Sequence, residues 1–357
     1  MLRGLGNLVN KLEKAVENVD PNQVEKMLGK VIGGDEATAG RKPTGNMASH
    51  EGTNGKRRAL LIGINYTGTQ SQLSGCINDV KNVHNFIKDQ YSDIRILTDD
   101  QQGPNVPTKA NIIESFKWLV SGAQPGDSFF LHYSGHGSTQ KDEDGDEVDG
   151  LDNTICPLDY NTQGMIVDDD MNTILVQALP EGSRMVAIFD CCHSGTMLDL
   201  PFMYTIDGNL EVTCKSNKRA ALEGGIKALK DFQKGDKQAA MKEAFSALSL
   251  LAKPEQNIPN SEAERKTLET KYSKADVLMF SGCKDNQTSA DAKINGEGCG
   301  AMSWALLSVL DATRGQRLTL KDLLAKLREK LQGKYEQIPQ MSTSHEVDVN
   351  NNYFALV

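Results

Sequence analysis

The segment SRMVAIFDCCHSGT, residues 183–196, constrains the fold of this chain more than any other. Its apolar run, Met185 to Phe189, has a charged start and a polar end, which is typical of a strand buried in a parallel sheet. Ligands of open α/β sheets bind beyond the carboxyl ends of the strands. We therefore expect a functional site at the residues that follow this run, namely Asp190, Cys191, Cys192 and His193.

A second segment, DSFFLHYSGHG at residues 127–137, repeats this design. It is apolar from Phe129 to Leu131 and ends in Ser134, Gly135, His136 and Gly137. If the two strands lie side by side, a thiol and an imidazole meet at one edge of the sheet. A cysteine nucleophile needs that arrangement, because the adjacent base delivers the thiolate and the small residues let a substrate carbonyl approach.

The pair HYSGHG and DCCHSG resembles the motifs of the metacaspases, caspase-like cysteine peptidases of the caspase-haemoglobinase clan. Further segments follow the family's order: LLIGINY, LSGCINDV, ILTDD, IVDDD and SGCKDNQTSAD. The resemblance covers nearly everything from Arg57 to Val357 and is closest to type I, although the N-terminal residues 1–56 do not resemble the proline- and glutamine-rich prodomain or zinc finger of that type. It implies an α/β fold, a caspase-like three-layer sandwich whose central sheet is mostly parallel, with helices on both faces.

The resemblance implies that Cys192 is the nucleophile and His136 its base. Neighbouring side chains of an extended segment point to opposite faces, so only one cysteine of the pair can face His136. We expect Cys191 to be a small buried apolar residue and His193 to be structural. The backbone N–H of Cys192 and that of Gly135 or Gly137 are candidate donors to an oxyanion.

A specificity pocket is also implied, formed by Cys76, Asp79, Ser134 and Asp190. Paired carboxylates at the base of a slot favour Arg or Lys before the scissile bond. Taken alone, Asp79 is equally well explained as a carboxylate that the dipole favours at a helix N-terminus.

Clusters of acidic residues suggest a calcium-binding site. The segment DEDGDEVDGLD is not an EF-hand loop, because Glu147 stands where that loop requires glycine. The metacaspase resemblance instead implies a Ca²⁺ site at Asp152, Asp168, Asp169 and Asp199. Each of these acids alone is equally well a solvated loop residue, but clustering them without a cation would be costly.

The chain divides into a prosegment with a linker and a peptidase domain. We expect residues 1–56 to form two short amphipathic helices and a flexible linker, and residues 57–357 to form the peptidase domain. Within it we expect a large-subunit-like part (57–214), a lysine-rich insertion without strands (215–274) and a small-subunit-like part (275–357). The last strand is predicted at SHEVDV, residues 344–349.

Composition excludes some functions. The net charge is −9, with 48 acidic and 39 basic residues and no basic block, so neither nucleic acid nor an anionic membrane is an expected partner. Seven cysteines without a CxxC pair, and no signal peptide, indicate the cytoplasm. The metacaspase resemblance implies a monomer, although no residue pattern decides the oligomeric state.

Together these features predict a calcium-stimulated cysteine endopeptidase that cleaves protein or peptide substrates after Arg or Lys. It is expected to cut itself in the insertion, where the candidate sites are Lys215, Lys218, Arg219, Lys234, Lys237, Arg265 and Lys266. Two alternatives remain open. A non-catalytic calcium-binding or protein-quality-control scaffold would not need the dyad, and a redox switch would need Cys191 and Cys192 to form a strained vicinal disulfide or to find a third thiol.

Overall fold

A computed structural model of the chain describes residues 45–47, 55–141, 151–191, 196–204, 210–212, 270–282, 291–294, 297–332 and 339–356. All of these belong to one compact unit, formed by residues 41–213 and 264–357. The strands are β1 (Arg57–Gly63), β2 (Asp93–Thr98), β3 (Ser128–Ser134), β4 (Gly137–Lys141), β5 (Leu151–Ile155), β6 (Ile166–Val167), β7 (Arg184–Asp190), β8 (Phe202–Tyr204), β9 (Leu210–Val212), β10 (Asp276–Ser281), β11 (Asp291–Ile294), β12 (Glu297–Gly300) and β13 (Gln340–Thr343).

The helices are α1 (Cys76–Ile87), α2 (Lys109–Val120), α3 (Tyr160–Gln163), α4 (Asp168–Met171), α5 (Ala301–Ala312) and α6 (Leu320–Leu331). Helix α4 continues directly into a π-helical turn, Asn172–Val176. Threonine residues cap the N-termini of two helices, α2 and α6. The Thr108 hydroxyl accepts a hydrogen bond from the N–H of Asn111, and the Thr319 hydroxyl accepts one from Asp322. These caps satisfy N–H groups that have no partner inside the helix.

The central sheet has the strand order β2-β1-β3-β7-β10-β13-β8-β9. The first five strands are parallel, and β13, β8 and β9 are antiparallel to their neighbours. Strands β3 and β7 lie side by side in register from Ser128 opposite Arg184 to Ser134 opposite Asp190. The predicted pairing of the histidine strand with the cysteine strand is therefore confirmed.

Side chains alternate between two cores, one on each face of the sheet. Leu61, Ile188 and Phe280 pack into one core with α1, α5 and α6. Leu60 and Phe189 pack into the other core with α2 and the π-helical turn. Because the inner strands β3, β7 and β10 are covered on both faces, their middle residues are apolar almost without a break, which confirms the predicted three-layer sandwich.

A small antiparallel sheet, β4-β5-β6, follows the histidine strand, and Gly137 on β4 pairs with Ile155 on β5. Strands β4 and β5 are antiparallel neighbours, with Lys141 opposite Leu151 on either side of the acidic segment. A second hairpin, β11-β12, leads directly into α5.

Some predicted elements are wrong. The last strand is β13, Gln340–Thr343, whereas the predicted strand at 344–349 contains no strand residue. Strand β13 is held by its antiparallel partners β10 and β8, and this pairing leaves no periodic pattern in the residues of β13 itself. The strands β8 and β9 and the hairpin β11-β12 were not predicted, since two- to four-residue strands give almost no periodic signal.

Candidate active site and acidic cluster

The exits of β3 and β7 form the centre of the candidate site. Ser134 and Asp190, the last residues of these neighbouring strands, lie directly opposite each other. His136 follows two residues after Ser134 and is partly buried. Cys192 and His193 lie outside the described residues, but the chain leaves β7 at Asp190, two residues before Cys192, on the same edge of the sheet as His136.

The imidazole of His136 is oriented by the loop that follows β1. Its Nε2 atom lies 2.7 Å from the backbone carbonyl oxygen of Ser71. A carbonyl oxygen only accepts hydrogen bonds, so Nε2 carries the proton. In the neutral imidazole, Nδ1 is then the basic nitrogen, and a base with this tautomer can take a proton only through Nδ1.

Two tyrosines hold the backbone of His136. The N–H of His136 donates to the hydroxyl of Tyr66 at 3.0 Å, and the hydroxyl of Tyr133 donates to the carbonyl oxygen of His136 at 2.8 Å. The ring of Tyr66 also lies 4.7 Å from the imidazole, centroid to centroid. Sequence reasoning missed the roles of Tyr66, Tyr133 and Ser71, although both tyrosines lie inside the motifs GINY and HYSGHG.

Of the adjacent cysteines, the structure describes Cys191. Its side chain is fully buried in the core that contains Phe189. It thus occupies the small, buried apolar position that the sequence predicts for Cys191.

The predicted specificity residues lie together beneath the start of α5. The hydroxyl of Ser134 donates to Asp79 Oδ2 at 2.7 Å, and Cys76 lies at the start of the same helix as Asp79. The N–H of Gly300 donates to both carboxylate oxygens of Asp79 at 2.9 Å, and the N–H of Ser303 donates to Asp190 Oδ2 at 2.7 Å.

Asp79 and Asp190 therefore face the N-terminus of α5, whose unpaired N–H groups and dipole favour anions. Both residues are buried, with exposed fractions of 2% and 3%. An added Cβ at Gly300 would lie 2.2 Å from Asp190 Oδ2 and 2.8 Å from Asp79 Oδ2. One oxygen of each carboxylate therefore lies close to Gly300. In this conformation both carboxylates bind the start of α5.

The candidate oxyanion donors differ in their surroundings. The N–H of Gly135 points toward the carbonyl oxygen of Asp190 at a long 3.5 Å. Gly137 begins β4, on the other side of His136. The third candidate donor, the N–H of Cys192, lies outside the described residues.

Three of the predicted calcium ligands form a cluster. Asp152, Asp168 and Asp169 each offer a carboxylate oxygen, and these oxygens lie within 4.8 Å of one another. Asp168 is oriented by the N–H of Asn153, which donates to its Oδ2 at 2.9 Å. Carboxylate oxygens gathered from different elements are the donor set that hard divalent cations prefer, so these residues fit Ca²⁺.

The fourth predicted ligand, Asp199, is joined to this cluster by a residue that the sequence did not single out. The ammonium group of Lys271 contacts Asp169 and lies 3.0 Å from Asp199 Oδ2. Burial alone would lower the pKa of Lys271, but Asp199 and Asp169 outweigh it and raise this pKa. Asp199 has a backbone φ of +46°, a left-handed conformation that aspartate tolerates better than most residues.

The candidate self-cleavage residues Lys215, Lys218, Arg219, Lys234, Lys237, Arg265 and Lys266 lie outside the described residues, as does the segment 1–44. Among the residues that the structure does describe, no helix has the length and apolarity required to cross a membrane.

Comparison with known proteins decides the family. The sequence profile described as "Metacaspase, peptidase C14 domain" matches residues 57–201. Metacaspase-1A of Aspergillus terreus is 45% identical over 316 residues, which are 87% of this chain and 76% of the relative. Metacaspase-1B of Aspergillus fumigatus is 48% identical over 301 residues, covering 83% of this chain and 71% of the relative.

The chain belongs to the metacaspase family. Metacaspases are caspase-like cysteine peptidases, so the resemblance inferred from the motifs is confirmed. Metacaspase-1 of Pyricularia oryzae, 46% identical over 310 residues, covers 85% of this chain and 75% of its own length. Among solved structures, protein GSU0716 of Geobacter sulfurreducens shares the fold, with a TM-score of 0.50 and 22% identity, over 81% of this chain and 93% of that protein.

Proposed function

We propose that this metacaspase is a calcium-stimulated endopeptidase that cleaves after Arg or Lys with a Cys192–His136 dyad and that also cuts its own insertion. The proposed specificity rests on one observation: the carboxylates of Asp79 and Asp190 both have an oxygen close to Gly300, beside the carboxyl ends of β3 and β7. Two carboxylates at that position suit a guanidinium or ammonium group and would repel an acidic side chain.

The reaction follows from the residues at the sheet edge. Nδ1 of His136 takes the proton of the Cys192 thiol, and the thiolate attacks the carbonyl carbon of the scissile bond. The negative oxygen that forms accepts hydrogen bonds from the backbone N–H of Cys192 and of Gly135 or Gly137. His136 then returns its proton to the leaving amine as the C–N bond breaks. Water, deprotonated by His136, hydrolyses the thioester and restores the thiol.

Calcium would be held by Asp152, Asp168, Asp169 and Asp199, and when bound it would supply positive charge that removes the repulsion among these acids. Separate parts of the chain supply the acids: β5, α4 and the loop before β8. Ligands from separate elements suit the large and flexible coordination sphere of Ca²⁺ better than the strict octahedron of Mg²⁺.

A panel of fluorogenic peptides tests the proposal. Peptides that end in Arg, Lys, Asp or Asn before the fluorophore are assayed with millimolar Ca²⁺, with Mg²⁺ and with a chelator. We expect cleavage after Arg and Lys only, in Ca²⁺ only, and no cleavage by Cys192→Ala. Efficient cleavage after Asp or Asn would refute the pocket assignment, and full activity in the chelator would refute the calcium requirement.

Self-cleavage is tested by intact-mass spectrometry after calcium is added. New chain ends should follow Lys or Arg between Lys215 and Lys274, and they should be absent from Cys192→Ala. A fully active enzyme that remains one uncut chain would show that processing is not part of its function.

A further inference from the structure

Tyr66 adopts a backbone conformation that is unusual for an aromatic residue. It lies in the loop after β1, has a φ of +50° and is completely buried. Among the described residues, only Asp199 shares this left-handed conformation without being glycine. A bulky side chain rarely adopts it, and such residues persist where the surrounding structure over-determines them, often at functional sites.

The hydroxyl of Tyr66 lies at the centre of a hydrogen-bond network around His136. It donates to the carbonyl oxygen of Cys156 at 2.6 Å and accepts from the N–H of His136 at 3.0 Å. The hydroxyl of Tyr133 lies 3.2 Å away and donates to the carbonyl oxygen of His136. Burial raises the pKa of both phenols, so each remains a neutral donor at any working pH.

His136 needs this support because its neighbours in the chain are Gly135 and Gly137. Glycine leaves the backbone freer than any other residue. The absence of a side chain at Gly135 also makes room for the phenols, because a Cβ there would lie 2.7 Å from the Tyr133 hydroxyl oxygen and 3.2 Å from that of Tyr66. Gly135 therefore packs closely against the hydroxyl groups of Tyr66 and Tyr133.

We propose that Tyr66, with Tyr133, is a positioning residue for the catalytic histidine: it fixes the backbone and the ring of His136 so that Nδ1 can act as the base. The ring of Tyr66 limits rotation of the imidazole from one side, and Ser71 holds Nε2. A misplacement of about 1 Å in such a group can lower a rate by roughly 100-fold.

The test compares Tyr66→Phe and Tyr133→Phe with a matched control, Tyr160→Phe. Tyr160 packs edge-on against Tyr66, but none of its described contacts reaches His136. With the wild-type enzyme's best peptide substrate, we expect kcat to fall by about 10- to 100-fold in the first two variants, with KM nearly unchanged. The control should retain the wild-type kcat.

A second readout does not require turnover. The rate at which iodoacetamide alkylates Cys192 is measured against pH by peptide mass mapping, since only the thiolate reacts. A mispositioned His136 stabilises the thiolate less, so the midpoint of this profile should move to higher pH in Tyr66→Phe. If kcat and the alkylation profile both stay unchanged in the tyrosine variants, the proposal is overturned and the tyrosines are only structural. Should Tyr66→Phe fail to fold, Tyr133→Phe decides alone.

A separate observation concerns the acidic cluster, and this second inference rests on the proposed calcium function. Lys271 is 8% exposed and its ammonium group contacts Asp169 and Asp199, two of the four proposed ligands. It lies five residues before β10, at the end of the expected insertion. The ammonium group of Lys271 therefore lies among the acidic residues that are proposed to bind calcium.

We propose that Lys271 is an internal competitor of calcium. Asp169 and Asp199 cannot coordinate a divalent ion with the same oxygens that bind the ammonium group. Calcium binding therefore requires Lys271 to leave, and its departure removes a contact that holds residues 270–275, the segment directly before β10. The competitor weakens calcium binding, so the enzyme responds only when the ion is abundant.

Calorimetry tests this in the Cys192→Ala background, which prevents self-cleavage. Calcium is titrated into that protein and into versions that also carry Lys271→Met or the control Lys274→Met, an exposed lysine paired with Glu181. We expect the Kd for calcium to fall at least tenfold in Lys271→Met and to stay unchanged in Lys274→Met. Lys271→Gln replaces Lys271→Met if the latter does not fold.

The outcomes distinguish the inference about Lys271 from the proposed calcium site. If Cys192→Ala binds calcium and Lys271→Met binds it equally or more weakly, the competitor inference is overturned while the calcium site stands. If none of the proteins binds calcium, both are overturned. Hydrogen exchange of a peptide spanning residues 270–276 gives a further check, since exchange should speed up when calcium is added to Cys192→Ala.

Discussion

The backbone N–H of Gly300 donates to both carboxylate oxygens of Asp79, and this contact joins the start of α5 to the helix after β1 across 221 positions of sequence. Asp190 binds the same helix end through Ser303. The residues proposed to select a basic side chain are thus also the residues that hold α5. The following predictions separate these two roles.

Gly300→Ala should destabilise the protein and abolish activity. The added methyl group would lie 2.2 Å from Asp190 Oδ2, and overpacking of this kind costs about 1 to 3 kcal/mol in the free energy of unfolding. Denaturant unfolding measures the loss. In the control Gly315→Ala, the added Cβ meets nothing within 4 Å and only the strain of φ +81° remains, so activity should survive. Equal stability and activity in both variants would contradict the packing described here.

Asp190→Asn should weaken selection for basic residues while it leaves α5 in place. The amide oxygen can still accept from Ser303, but it cannot neutralise a buried guanidinium. We expect kcat/KM for Arg peptides to fall by an amount equal to about 2 to 5 kcal/mol of transition-state binding. Thermal unfolding serves as the control for folding. An unchanged preference for Arg would show that Asp190 only caps the helix.

His132 should make the fold sensitive to acid. Its ring is completely buried on β3, with Nε2 2.9 Å from the Ser303 hydroxyl oxygen, and burial lowers its pKa to about 3. The unfolded chain binds a proton at the ordinary pKa of about 6.5, so stability is fully present above that pH and is lost as the pH falls. His132→Gln cannot be protonated.

The measurement is the free energy of unfolding between pH 7 and pH 4. Relative to His132→Gln, the wild type should lose about 1.4 kcal/mol for each pH unit below roughly pH 6. His84→Gln, on α1, controls for the loss of a histidine elsewhere. Parallel pH curves for the wild type and His132→Gln would show that His132 takes up a proton in the native state.

The sequence predicts most of the parallel core because its strands carry their own signal. Met185–Phe189 and Phe129–Leu131 are apolar without a break, and the structure buries both on two faces. The strand β13, Gln340–Thr343, has no such signal, because its position depends on β10 and β8 rather than on its own residues. The predicted strand at residues 344–349 was wrong for this reason.

The candidate site, too, could be predicted only in part from the sequence. Motifs predict His136 and the acidic residues, since each lies within a segment that resembles the family. The partners of these residues come from far along the chain: Tyr66 lies 70 positions from His136, and Lys271 lies 102 positions from Asp169. Nothing in the local pattern of GINY or TKYSK indicates such contacts, because they arise only when the fold brings distant parts of the chain together.

The most direct test of the whole account is active-site labelling. The intact protein is treated with a peptidyl-Arg acyloxymethyl ketone with and without Ca²⁺, and the modified residue is located by peptide mass mapping. We expect one adduct, on Cys192, which forms in calcium, is absent from Cys192→Ala, is retained in Cys191→Ala and does not form with the corresponding Asp ketone. An adduct on Cys191, or equal labelling by the Asp ketone or without calcium, would contradict it.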